Sequence, residues 1–161
     1  MADATIDAAR DILDDSLAEL RKAVDGSSAE ELNLRPAGDD TNGLAVLVTH
    51  ALYSTRSWLS LATGAEPPTR DRPAEFRVVV NDADDFLTWF DATAGECRAI
   101  LDAAATFEPA STGIPSWRFD ELDPGDHEPV TAAWALQHAL AHLAEHVGHA
   151  QLTHQVVEPG V

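Results

Sequence analysis

Four stretches of the chain carry apolar residues at helical spacing, and little else in it is periodic. The first runs from about Ala4 to Val24, with Ile6, Ala9, Leu13, Leu17 and Leu20 three or four apart, and Gly26 and Ser27 end it. A short helical turn follows in SSAEELN, where Ser28 precedes Glu31 by three residues in the capping-box pattern. LRPAGDDTNG then reads as a loop. The second long helix is predicted from about Gly43 to Ala62. Leu44, Leu47, Ala51, Leu52, Trp58, Leu59 and Leu61 make it strongly apolar, which places it deep in the fold. Gly64 and the paired prolines Pro67 and Pro68 stop it.

TRDRPAEF reads as a charged loop. The third helix is predicted from about Asp82 to Ala104, with Asn81 as its cap and an apolar stripe of Phe86, Leu87, Phe90, Ala94, Cys97 and Leu101. From about Thr106 to Glu128 the chain is irregular and holds Pro109, Pro115 and Pro124. VVV at 78–80 and PSWRF at 115–119 each have the composition of a short strand, with no evident partner. The last helix is predicted from near Pro129, a favoured first-turn residue, to about Val156. Four such helices predict an all-α fold, a four-helix bundle with a long connection before the last helix that leaves room for a crossover. Residues 1–161 are expected to form a single domain, large enough to bury a real core.

An apolar fraction of 45% is that of a globular protein. No apolar run is long enough to span a bilayer, and the N-terminus lacks the layout of a signal peptide, so the expectation is a cytoplasmic protein with no membrane partner. The net charge of −18 argues against nucleic-acid partners, because a phosphate backbone would be repelled. The single Cys97 excludes an internal disulfide. It falls on the third helix's apolar stripe and is read as packing.

The chemistry concentrates near the C-terminus. Five of the 7 histidines lie in HALAHLAEHVGHAQLTH, a string with the composition of a helix. On that helix His142 and His146 stand one turn apart on one face, a spacing at which two neutral imidazoles can close on one metal ion. The alternative is a solvated, His-rich face. His50 lies midway along the apolar second helix, flanked by Val46, Leu47 and Ala51. A buried imidazole needs partners, so His50 either bonds a backbone carbonyl or water, or serves as a ligand. Bundle metal sites draw ligands from facing helices, and a catalytic site commonly takes three protein ligands with one position open.

With these residues in view, VLVTHALYSTRSWL and HALAHLAEHVGHAQL resemble the DinB-like superfamily of four-helix bundles, as do SSAEELNLRPA and the Asn42-Gly43 step before the second helix. The resemblance covers most of the chain and is vague over 106–128. It implies one metal-binding histidine on the second helix and an H-x3-H pair on the last, which places His50, His142 and His146 on the triad. Val147 and His149 stand where many members carry Arg and Gln, and Glu145-His146 replaces a common double histidine. These departures leave the triad intact and the subfamily open. The superfamily includes thiol-dependent S-transferases and mycothiol-dependent maleylpyruvate isomerases. The resemblance therefore implies a divalent transition metal, zinc or nickel first, a low-molecular-weight thiol such as mycothiol, and a small-molecule electrophile as substrate. The other reading is a non-catalytic metal- or ligand-binding bundle. Bundles with an apolar first helix often pair, which leaves a homodimer open.

His142 to His146 is also H-x-x-E-H, the inverted zinc-protease pattern with Glu145 as general base. That reading is disfavoured, because the one acid after His146 is Glu158, beside Pro159 in a short tail. Glu145 is expected on the helix flank. His138, one turn before His142, either packs or bonds within the site, and His149 is a candidate for the site mouth. His154 is expected at the surface. Trp58, Trp89 and Trp134 read as core residues, and Trp117 as a candidate pocket wall. Arg56 is expected in a surface salt bridge.

Overall fold

The computed structural model describes residues 3–104, 106–115 and 128–157. Its long helices are α1 (Ala4–Lys22), α3 (Leu44–Thr63), α5 (Ala83–Ala103) and α6 (Ala132–Val157). Two short helices, α2 (Ala29–Asn33) and α4 (Arg72–Glu75), and a 3-10 turn at Gly38–Asp40 lie in the connections. The chain forms an all-α helical bundle, as its periodicity predicts.

Helix α3 is the central element. It buries residues on almost every side, packs most extensively on α6 and next on α5, while α1 lies against α6 and α5. Its two ends are fixed locally. Gly43 leads into it, and Gly64, with φ of 73°, closes it in the left-handed conformation that suits glycine. The first helix stops at Lys22, two residues short of expectation, with Ala23 as its cap. Ile6, Leu13, Leu17, Leu20, Leu52, Leu59, Phe90, Leu101 and Leu143 form the heart of one continuous core.

The predicted capping box is present: Ser28 N donates to Glu31 Oε2 at 2.7 Å, and Glu31 N donates to Ser28 Oγ at 3.2 Å. The cap of α5 is Asp82, which accepts from Asp85 N at 3.0 Å, and not Asn81. Aspartate is the equally good cap one residue on.

Three connections differ from the sequence reading. Part of TRDRPAEF is helix α4, started by Asp71, which accepts from Ala74 N at 3.0 Å, with Pro73 in the first turn. Residues 78–80 form no strand. Asn33 takes the place of a paired strand there: its Nδ2 donates to Val80 O at 2.7 Å, and its Oδ1 accepts from Val80 N at 2.9 Å. The observed two-stranded sheet is instead β1 (Thr112–Gly113) with β2 (Val130–Thr131), antiparallel. Gly113 lies close against Leu61, whose Cδ1 an added Cβ would meet at 2.5 Å unless that side chain shifted. That sheet also explains why the last helix begins at Ala132 and not near Pro129. The backbone before it is spent on pairing, Ala132 N donates to Ser111 O at 2.7 Å, and Thr131 Oγ1 caps Trp134 N at 3.2 Å. Residues 116–119 of PSWRF lie outside the described residues, as do Trp117 and Glu158.

Candidate metal centre

The tight packing of α3 on α6 brings together the three histidines singled out in the sequence. The rings of His142 and His146 stand 4.5 Å apart, one turn along α6, and the His50 ring reaches across from α3 to 5.2 Å and 5.1 Å from them. One nitrogen from each of the three can be chosen so that all lie within 4.8 Å of one another. Among the described residues no other group of three His, Cys, Asp or Glu side chains has this geometry. His50 is buried and the other two are half-buried.

The electrostatics suit ligation. Burial, followed by the neighbouring imidazoles, pushes the His142 pKa down to about 3. Burial, then the His50 and His149 rings, lowers His146 to about 4. Both rings are neutral at pH 7 and keep a lone pair. Each also has a buried Nδ1 with no hydrogen-bond partner. An orphaned buried polar atom is costly, and three imidazoles facing one another fit a divalent transition ion.

His50 is held from behind by residues that the sequence reading did not single out. Its Nδ1 lies 2.8 Å from Glu75 Oε2. Arg70 grips the same carboxylate as a fork, from Nε to Oε1 at 2.6 Å and from Nη2 to Oε2 at 2.9 Å. The side chains of Glu75 and Arg70 are 0% and 3% exposed. Burial disfavours the Glu75 anion, but the His50 and Arg70 bonds outweigh it and hold the pKa below the usual carboxylate range. The Phe76 ring packs 5.0 Å from His50. The one sequence signal here was the helix start at Asp71 and Pro73; nothing in the pattern marks Glu75 as buried.

The remaining candidates lie around the triad. His138 is clasped by aromatic rings, stacked on Trp134 at 4.7 Å and edge-on to Trp58 at 4.6 Å, with its ring 5.6 Å from His142. Trp58 is buried, whereas Trp134 is 46% exposed and not a core residue. Its indole stands in the first turn of α6, stacked on His138 and edge-on to the buried Trp58, with its outer side open to solvent. His149 is exposed, with its ring 5.5 Å from His146. Glu145 is exposed on the helix flank, as expected. His154 is half-buried and not at the surface.

Cys97 is buried, its Sγ 3.9 Å from Leu52 O, and burial pushes its pKa up to about 12, so it packs as a thiol. Arg56 pairs with Glu96 and lies over the Tyr53 ring at 4.8 Å. It borders a cavity of about 670 Å³ whose walls include Tyr53, Phe86 and Trp89. Arg70 and Glu75 line this cavity too, but His50, His142 and His146 do not.

Comparison with known proteins bears on the family and the fold. A family model described as "Mycothiol-S-transferase" matches residues 8–158. A crystal structure of a conserved protein from Enterococcus faecalis superposes with a TM-score of 0.71 at 17% identity, over 97% of this chain and 98% of that one. That likeness speaks to the fold. No curated protein matches the chain in sequence. Among the described residues no helix is long and apolar enough to cross a membrane.

Proposed function

The chain belongs to the mycothiol-S-transferase family, within the DinB-like bundles, and on that footing we propose that it is a metal-dependent thiol S-transferase. In this reading His50, His142 and His146 hold one divalent transition ion, zinc or nickel, which suit a set of imidazole ligands. Such an ion, with one position left open, makes a coordinated thiol ionise at neutral pH. The co-substrate is a low-molecular-weight thiol of the mycothiol kind, and the acceptor a small electrophile. The thiol gives its proton to solvent and its sulfur bonds to the acceptor carbon, which in exchange either releases a leaving group with its bonding pair or gives up the electron pair of a π bond that is then protonated.

The protein's own residues supply position and environment. α6 fixes His142 and His146 at one-turn spacing, and burial keeps both rings neutral, so no proton competes for their lone pairs near pH 7. The Phe76 ring and the packed α3–α6 interface cover His50 and limit water beside it. Cys97 takes no part, because its thiol is buried and stays protonated.

One observation carries the reading: three imidazoles from two helices converge, and two of them have a buried nitrogen without a partner. The test is conjugation of a chromogenic electrophile by the zinc- or nickel-loaded protein, with mycothiol and with other cellular thiols. Turnover that needs both metal and thiol is expected. Loaded protein that conjugates nothing with any of the thiols would overturn the S-transferase reading.

A further inference from the structure

We infer that Glu75, clamped by Arg70, is the positioning residue of this centre: it fixes His50 as the Nδ1–H tautomer and so commits Nε2 to the metal. The inference rests on the metal reading above. The argument begins with the proton count on a single oxygen. Glu75 Oε2 receives Arg70 Nη2 at 2.9 Å and stands 2.8 Å from His50 Nδ1. An ionised carboxylate only accepts. With no proton between them, a lone pair on Nδ1 would face an anionic oxygen in a buried setting, which is repulsive. Arg70 Nη2 also approaches Nδ1 at 3.5 Å, but beside its 2.9 Å bond to Oε2 this long contact is too weak to offset that repulsion. The proton therefore sits on Nδ1, and Nε2 is the nitrogen left to face the metal.

Arg70 does the second half of the work. A guanidinium fork fits a carboxylate in one plane, so both Glu75 oxygens are fixed in direction as well as in charge. The segment is itself anchored. Asp71 caps α4, and Asn33 ties down Val80 a few residues beyond. Position 75 is thus set by α4, while its target His50 is set by α3. The geometry is that of a carboxylate behind a ligating imidazole, an arrangement that orients the ring and raises its basicity. The cost of burying Arg70 and Glu75 would be hard to explain on stability grounds, because a buried ion pair contributes little net stability over apolar residues of the same volume.

Two measurements test this. The first uses nitrogen-15 NMR of the metal-free wild-type protein to read the His50 tautomer, and an Nδ1–H ring is expected. A proton on Nε2, or a mixture of the two forms, would overturn the inference without reference to any metal. The second compares zinc affinity by chelator competition in Arg70→Met/Glu75→Leu, a pair that leaves no unpaired buried charge and so is designed to fold. The tautomer is expected to become mixed, and zinc binding to weaken by about 10- to 100-fold. Should that pair fail to fold, Glu75→Gln keeps an acceptor for Nδ1 without the charge, and a smaller loss of affinity with the tautomer retained is expected. Unchanged zinc affinity in a folded variant would overturn the positioning role. Wild-type protein with an Nδ1–H ring that takes up no zinc would instead overturn the metal reading and leave the tautomer lock standing, so the two failures are distinct.

Discussion

The His146 ring stands 4.5 Å from His142, the residue one turn earlier on α6, and both are held neutral first by burial and then by neighbouring imidazoles. In the unfolded chain both would titrate near pH 6.5. Their folded pKa values are about 3 and about 4, so below pH 6.5 the unfolded state binds more protons than the folded one. Stability of the metal-free protein from these two groups is therefore complete above pH 6.5 and falls as the pH drops toward 4. Together they make unfolding take up about two protons near pH 5. Glu75 acts in the same direction further down, since its carboxylate must be protonated on acid unfolding. Urea denaturation of the metal-free protein between pH 8 and pH 4 reads this as a falling midpoint. A His142→Asn/His146→Asn variant should lose most of the slope between pH 6.5 and pH 5.

Asn33 replaces a missing strand partner for Val80, with one bond to its N–H and one to its carbonyl. Val80 is buried, so Asn33→Ala leaves two backbone groups short of partners. The expected cost is about 1–3 kcal/mol, read from chemical denaturation. Because the segment after α4 is released, protection of the 76–80 amides from hydrogen exchange should fall with it.

The two findings separate what a sequence shows from what it hides. The four long helices are visible because Leu13, Leu17 and Leu20 or Phe86, Phe90 and Cys97 repeat at a helical period, and the predicted ends lie within three residues of the observed ones. The three histidines were visible as candidates because a polar ring at position 50 is out of place in an apolar helix. Glu75 was not visible. It sits among charged residues in TRDRPAEF, and only the fold shows that its carboxylate turns inward while Asp71, four residues before, faces out to cap a helix. The strand pair was equally hidden, because two residues carry no alternation. Trp134 is the converse case: a large apolar residue at helical spacing reads as core, yet it lies 46% exposed against His138.

Leu143 lies between the two histidines on α6 and is fully buried at the contact with the rest of the bundle. Leu143→Ala should destabilise the protein by about 2–5 kcal/mol, the range for truncating a packed leucine. The expected observation is a lower denaturation midpoint with an unchanged denaturant slope.

Cys97 offers a check on core packing. Its thiol is buried and its pKa is raised to about 12, so the native protein should react with an aromatic disulfide reagent only as fast as it opens. One thiol per chain should appear at once in denaturant. Rapid labelling under native conditions would contradict the packing described for α5 against α3.

The central claim is that His50, His142 and His146 form one metal centre, and elemental mass spectrometry of untagged protein tests it most directly. The account predicts about one zinc or nickel ion per chain in the wild type, after loading if need be, and its loss in both His50→Ala and His146→Ala. Wild-type protein that holds no transition metal even after loading, or variants that keep it in full, would contradict the account.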